Sequence, residues 1–115
     1  MNCNVTTVSG RLTKNPEMSY LPSGTPIAKM SLAIDDPRGK DKEKRTSFFP
    51  VTVFGKTAES CGQYLEKGQV VIVNGKLQQE RWETQDGSKR SQIVIIGHQV
   101  SFGQKARPKE LAPAA

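Results

Sequence analysis

Aromatic side chains are concentrated in one short stretch of the chain, TSFFPVTVFGKTAE at residues 46–59, which holds three of its four phenylalanines. Flat rings of this kind can stack on nucleobases, because every base has a π-face whatever its identity. In a β-strand the side chains alternate between two faces, so Phe49 and the valines at alternate positions after it would line a core. Phe48 and Phe54 would then point the other way, towards a ligand.

Pro50 interrupts this stretch and leaves an alternative open. A proline in mid-strand removes a backbone donor, which favours a strand edge or a β-bulge at that position. A bulge would shift the alternation by one residue, and Phe49 rather than Phe48 would then meet the ligand.

Trp82, the single tryptophan, lies in a polar segment beside Arg81, Lys89 and Arg90. Such a segment offers an indole little core to fill, which favours a ligand-binding role for Trp82, with Lys89 and Arg90 as candidate DNA contacts beside it. Every one of these rings also has a structural interpretation, since aromatic residues dominate cores and interfaces as well as binding sites. The two outward phenylalanines could pack under a helix or in a subunit interface, and Trp82 could anchor the surface.

The composition favours a small binding domain with an anionic partner. The 115 residues carry a formal net charge of +6 and have a pI near 9.6, which suits a polyanion but also serves solubility. Hydrophobic residues make up 35% of the chain, which fits a small β-barrel better than a multilayered enzyme.

The residue types used in catalysis and metal binding lack the necessary spacing. Cys3 and Cys61 are far apart, His98 has no cysteine or carboxylate pattern near it, and Asp35 and Asp36 accompany no base or metal motif. Nucleophile elbows, P-loops and metal boxes are missing from the sequence. We therefore predict no enzymatic activity, no metal and no cofactor. Since no apolar leader or bilayer-length run is present, we expect a cytoplasmic, nucleoid-associated protein without membrane contact.

The hydrophobic pattern predicts five strands and one helix. The strands are expected at residues 3–12, 27–34, 46–54, 69–79 and 92–102, and the helix at 55–68. Asp86-Gly87 predicts a hairpin turn between the last two strands, and Asn74-Gly75 a glycine bulge. The order β-β-β-α-β-β, with the helix between strands three and four, is that of the all-β OB-fold, a five-stranded Greek-key barrel.

The composition of two segments predicts that they lie outside the packed domain. Residues 37–45, PRGKDKEKR, mix five basic with two acidic residues and no apolar one, which predicts a solvated loop. From residue 104 onwards the chain is rich in proline, alanine and charge, so we predict a domain over 1–103 and a flexible tail over 104–115.

The motifs GRLTKNPE, FGKTAE and YLEKG together resemble the bacterial single-stranded DNA-binding proteins of the tetrameric SSB family, over roughly residues 1 to 103. The resemblance implies an OB-fold, a homotetramer, and wrapping of single-stranded DNA with little sequence preference. It also implies roles for individual residues. By position, the base-stacking residues are Phe48, Phe54 and Trp82, and the basic DNA contacts include Lys56, Lys67 and Arg81.

The chain departs from the family pattern in two places. Asp35-Asp36-Pro37 stands where some members carry a further stacking tryptophan. The family's replicative members end in an acidic, hydrophobic tip that recruits replication and repair proteins, whereas this sequence ends in LAPAA after a basic-leaning segment. A short paralogue, a truncated chain and a different mode of recruitment all fit this ending.

The sequence thus predicts a protein that binds single-stranded DNA during replication, recombination or repair, by stacking on aromatic rings and by phosphate contacts from lysine and arginine. The alternative is a protein-interaction OB module of the primosomal accessory type, with weak DNA binding.

Overall fold

A computed structural model describes residues 1–36 and 45–105. The elements, in chain order, are β1 (Thr6–Leu12), β2 (Glu17–Tyr20), β3 (Pro26–Asp36), β4 (Arg45–Phe54), α1 (Gly55–Tyr64), β5 (Gln69–Glu83) and β6 (Lys89–Lys105). No helix in the described ranges is long and apolar enough to cross a membrane.

The six strands form one sheet that curls into a closed barrel. Their order is β1-β5-β6-β4-β3-β2, and the sheet closes where β1 pairs with β3 at Arg11↔Ala33 and Leu12↔Leu32. All pairings are antiparallel except β4 with β6, which is parallel and spans only Val51–Val53. This closed all-β sheet with one short helix agrees with the predicted fold class.

The sequence pattern missed one element, the short strand β2. Its four residues, EMSY, alternate polar and apolar side chains, but the segment is too short for this pattern to identify a strand, and all four residues are exposed. Pairing with β3, from Glu17↔Lys29 to Tyr20↔Pro26, holds this strand in place. Because β2 precedes the next strand, the helix follows the fourth strand rather than the third.

The core is formed by small and branched side chains from the barrel interior and by one face of α1. Its buried members are Leu12, Ala28, Met30, Leu32, Val51, Val53, Ala58, Cys61, Leu65, Val71, Val73 and Ile95. Cys61 is fully buried on α1, and burial raises the pKa of its thiol to about 11. The other cysteine, Cys3, is exposed.

The predicted hairpin turn lies between β5 and β6. Thr84 N donates to Ser88 O at 2.9 Å, and Gly87 N donates to Thr84 O at 3.0 Å. Gly87 has φ +86°, a left-handed conformation that glycine adopts without strain. Hydrogen bonds from the Thr84 hydroxyl and from Ser88 lower the pKa of Asp86, so the carboxylate form closes the turn.

The predicted irregularity at Asn74-Gly75 is also present. Asn74 pairs with Gln99 and Gly75 with Gly97, so His98 is an extra residue on β6. Glycine is required on β5 here, since a Cβ at position 75 would overlap the carbonyl oxygen of Ile96. A β-bulge of this kind bends its strand and changes the direction of nearby side chains.

The ends of several elements differ from the expected bounds. Helix α1 ends at Tyr64, and Gly68, with φ +90°, instead donates its backbone N–H to Leu12 O at 2.9 Å. Strand β6 continues to Lys105, past the predicted end of the domain. The charged loop, apart from Arg45, and residues 106–115 of the predicted tail lie outside the described residues.

Candidate nucleic-acid interface

The register of β4 decides which way its rings point. Its pairing with β3 runs without interruption from Ile27↔Phe54 to Asp36↔Arg45, so Pro50 introduces no bulge. Phe48 and Phe54 therefore lie on the sheet face opposite the core, which we call the outer face. Phe48 is 63% exposed and Phe54 41% exposed, so both rings are accessible.

Phe49 shares the core-facing side of β4 but is not a core residue. It pairs with the buried Leu32, yet it is 39% exposed, in contrast to Val51 and Val53, which are buried as predicted. The cause is its position beyond the β4–β6 pairing, which begins at Val51. The same break makes β4 an edge at Pro50, the kind of position where strands tolerate proline.

A depression of about 400 Å³ surrounds Phe54 on the outer face. It is lined by Phe54, Thr57, Lys76, Gln78, Ile96, Gly97 and His98, from four elements. Pairing explains the grouping, because Thr52 is level with Ile96 and Ile96 with Lys76 across three adjacent strands. Ile96 is 8% exposed and forms part of the floor, while Lys76 is exposed.

Lys76 is a candidate contact that the sequence did not reveal. Alternation along β5 places Lys76 on the face opposite the buried Val73, but its neighbours on that face are set by the parallel pairing of β4 with β6. Phe54 and Lys76 are 22 residues apart in the chain, and no local sequence pattern indicates that they are close.

The far end of the β5–β6 hairpin carries Trp82 with several cations. Trp82 pairs directly with Arg90, and both share the outer face with Lys76, since the register is unbroken from Gly75 to Glu83. Trp82 is 47% exposed. A depression of about 430 Å³ at this end is lined by Arg81, Trp82, Glu83, Lys89, Arg90 and Ser91. It brings together four of the predicted site residues.

The alternation of the hairpin separates these cations into two sets. Arg81 and Lys89 point to the opposite side from Trp82, because they occupy the alternate positions of the ladder. Arg81 is also held by its own strand, where Nη2 donates to Gln79 Oε1 at 2.7 Å. Lys89 pairs across the ladder with Glu83.

The three rings are spread along the outer face rather than gathered in one pocket. Phe48 lies four residues before Thr52 on β4, and Trp82 lies six residues after Lys76 on β5. Because β4 is parallel to β6 and β5 is antiparallel to it, both rings are displaced in the same direction along the sheet. At about 3.3 Å per residue these steps are about 13 Å and 20 Å. Such spacing suits an extended chain that passes over several rings.

The two predicted lysines near the helix differ in their positions. Lys56 is exposed in the first turn of α1, two residues beyond Phe54. Lys67 follows the other end of α1, and its backbone N donates to Asn15 Oδ1 at 2.7 Å. Lys67 lines neither of the two depressions, so its contact with a ligand stays a prediction.

The cations of the outer face are available for an anionic ligand. Within residues 1–36 and 45–105 the two ion pairs are Arg11–Asp35 at 3.1 Å and Lys14–Glu17 at 3.2 Å. Neither involves Lys76 or a cation of the hairpin. Asp35, which stands at the departure from the family pattern, also accepts a hydrogen bond from Thr46 Oγ1 at 2.8 Å.

The outer face combines aromatic and basic side chains. In the described part of the chain, no three histidine, cysteine, aspartate or glutamate side chains are grouped so that they could hold a metal ion. The face offers separated rings with cations beside them, a combination that suits a flexible polyanion whose monomers have flat faces.

Comparisons with known proteins identify relatives of the chain. The sequence profile of the "Single-strand binding protein family" matches residues 3–103. "Single-stranded DNA-binding protein 2" of Clostridium acetobutylicum is 36% identical over 100 residues, covering 86% of this chain and 75% of that protein. The "Single-stranded DNA-binding protein" of Thermotoga maritima is 40% identical over 96 residues, covering 81% of this chain and 68% of that protein.

A solved structure shows the same fold. It is titled "Plasmodium falciparum SSB complex with ssDNA" and matches with a TM-score of 0.81 at 23% sequence identity. The match covers 90% of this chain and 97% of the other.

Proposed function

The chain belongs to the single-strand binding protein family, and on this basis we propose that it binds single-stranded DNA with little sequence preference. The DNA would be protected and organised in this way during replication, recombination or repair. The mechanism is electrostatic capture by lysine and arginine, followed by stacking of bases on exposed rings.

One observation carries this proposal: exposed rings and cations lie together on the outer face of adjacent, paired strands. Phe54 shares a depression with Lys76, and Trp82 pairs with Arg90 across the hairpin. Stacking does not read base identity, and phosphate contacts are the same for every nucleotide. Binding of this kind is therefore expected to depend weakly on sequence.

We assign roles to the predicted residues by their places in the fold. The rings that stack on bases are Phe48, Phe54 and Trp82. We assign phosphate contacts to Lys56, Lys67, Lys76 and Arg90. Of these, Lys76 and Arg90 have the strongest structural support, because they lie on the same face as the rings. Arg81 and Lys89, which the sequence also predicts, point to the opposite side of the hairpin, and we propose no phosphate contact on the outer face for them.

We also propose that the protein assembles into a homotetramer. Several large apolar side chains are exposed in the single chain, among them Val5 at 79%, Ile93 at 58% and Leu77 at 45%. Leu77 and Ile93 lie on the side of β5 and β6 that continues the core surface, beyond the closed part of the barrel. Contact with further copies would remove this apolar surface from water.

The decisive experiment uses Trp82 as its own reporter. Oligo-dT of increasing length is added to the protein, and the tryptophan fluorescence and the mass of the complex are measured together. We expect quenching that saturates, an affinity that rises with oligonucleotide length, and a mass of four chains. Duplex DNA of the same length is the control and should quench far less.

A salt titration separates the proposal from the accessory-module alternative. A wrapping binder should hold long single strands at moderate salt, while an accessory module should release DNA there and keep a protein partner. If oligo-dT leaves the fluorescence unchanged at low salt, single-stranded DNA is not the ligand of this face.

A further inference from the structure

A second groove with two exposed rings lies between α1 and β6. It has a volume of about 340 Å³, and its lining includes Thr57, Ser60, Tyr64, His98, Val100 and Phe102. The buried Cys61 closes its base. None of the roles assigned above involves Tyr64 or Phe102.

The rings of Tyr64 and Phe102 form a pair at this groove. Their centroids are 6.5 Å apart and their planes are tilted by 52°. Tyr64 is 62% exposed and Phe102 44% exposed, which resembles the exposure of the rings on the outer face. Two tilted rings hold one another in place, so their free faces are presented to solvent with little loss of side-chain freedom on binding.

This groove is continuous with the depression around Phe54. Thr57 and His98 line both, one from each wall. His98 is the extra residue of the bulge on β6, and the bend at a bulge explains how one side chain can border two surfaces that a regular strand would separate. A ligand that leaves Phe54 therefore has to pass only Thr57 and His98 to reach the groove that holds Tyr64.

The chemistry of the lining favours a nucleic acid over an apolar peptide. Besides the rings, the lining includes the hydroxyl groups of Thr57 and Ser60 and the imidazole of His98, all of which can donate hydrogen bonds to phosphate or base oxygens. Lys76 supplies a positive charge on the Phe54 side. Among the residues that the structure describes, no carboxylate lines either depression.

We propose that the path of single-stranded DNA continues from Phe54 across Thr57 and His98 into the α1–β6 groove, where Tyr64 and Phe102 form a further stacking site for bases. This inference rests on the proposed function, since it extends the same path. The occupant is the same strand that contacts Phe54.

The test compares the double variant Tyr64→Leu/Phe102→Leu with the unaltered protein. Leucine keeps apolar bulk over Cys61 and removes both rings. The control variant is Tyr20→Leu, because Tyr20 is 66% exposed, matching Tyr64, but lies on β2 and lines neither depression. Thermal unfolding of each variant checks that the fold is retained.

Affinity for oligo-dT is measured by Trp82 quenching over a series of lengths. We expect the double variant to bind the longer oligonucleotides about tenfold or more weakly, a loss that two stacking contacts would produce. Binding of the shortest oligonucleotides that still quench Trp82 should change little, and Tyr20→Leu should bind every length like the unaltered protein.

Cross-linking gives a second measurement that does not depend on variants. Oligo-dT carrying 5-iododeoxyuridine at successive positions is irradiated in complex with the unaltered protein, and the modified peptides are mapped. Adducts on Tyr64 or Phe102 are the expected result. Unchanged affinity of the double variant at every length, together with adducts only on Phe48, Phe54 or Trp82, would overturn the further site and leave the proposed function intact. Failure of the unaltered protein to bind oligo-dT would overturn both.

Discussion

Which side of the β5–β6 hairpin faces DNA can be decided by the salt dependence of binding. The hairpin places Lys76 and Arg90 on the outer face and Arg81 and Lys89 on the opposite side. Two double variants therefore form a matched pair, each removing two positive charges from the same two strands. They are Lys76→Gln/Arg90→Gln and Arg81→Gln/Lys89→Gln.

The expected size of the effect follows from counterion release. Each phosphate contact contributes about 0.7 to the slope of log K against log salt for single strands, so two contacts contribute about 1.4. When the salt concentration rises from about 50 to about 200 mM, the affinity of both proteins should fall. The fold-loss of the outer-face variant should be about seven times smaller than that of the unaltered protein. The variant on the opposite side should keep a slope close to that of the unaltered protein.

The assay is a fluorescence titration of oligo-dT at four or more salt concentrations, with Trp82 retained in both variants. Circular dichroism melts check that neither variant disturbs the hairpin. A lower slope for Arg81→Gln/Lys89→Gln than for Lys76→Gln/Arg90→Gln would refute the assignment of the outer face. In that case the strand would follow the side of the hairpin that we assign to subunit contacts.

Three further predictions concern single positions. Trp82→Ala should weaken binding of oligo-dT, oligo-dA and mixed sequences alike, by about 1–3 kcal/mol, and unchanged affinity measured by anisotropy of labelled DNA would contradict its stacking role. Gly75→Ala should lower the free energy of urea unfolding by about 1–3 kcal/mol or more, because the new Cβ overlaps the carbonyl oxygen of Ile96, whereas an unchanged unfolding midpoint would show that the two strands can separate there. Burial raises the pKa of the Cys61 thiol to about 11, which contributes stability that is fully present below about pH 9 and is lost progressively up to about pH 11. Over that range the free energy of unfolding of the unaltered protein should fall by up to about 3 kcal/mol more than that of Cys61→Ala in denaturant titrations. Parallel pH curves for the two proteins would contradict this.

Local patterns made part of this structure predictable. The alternation in TSFFPVTVF gave the correct faces for Phe48 and Phe54, because side-chain direction in a strand depends only on position. Asp86-Gly87 identified the hairpin for the same reason, since a tight turn selects its residues locally.

Features that depend on strand pairing were not predictable. Strand β2 has only four residues, too few for their alternation of polar and apolar side chains to stand out, and its pairing with β3 defines it. Phe49 has the alternation of a core residue but lies beyond the point where β4 leaves β6. Lys76 lies near Phe54 because β4 pairs with β6 in parallel and β6 pairs with β5. This long-range pairing is not encoded in any local sequence pattern.

The short pairing between β4 and β6 leaves part of β4 as an edge on which other molecules could associate. The part of β4 that precedes Val51 is not paired with β6, and this part carries the exposed rings of Phe48 and Phe49. An open edge with apolar side chains is a template on which strands of other molecules can add and aggregate. Pro50 stands where that edge begins and cannot donate a backbone hydrogen bond. Proline at an exposed strand edge is one of the devices by which proteins limit the addition of further strands, so Pro50 counts against such addition beside these exposed rings.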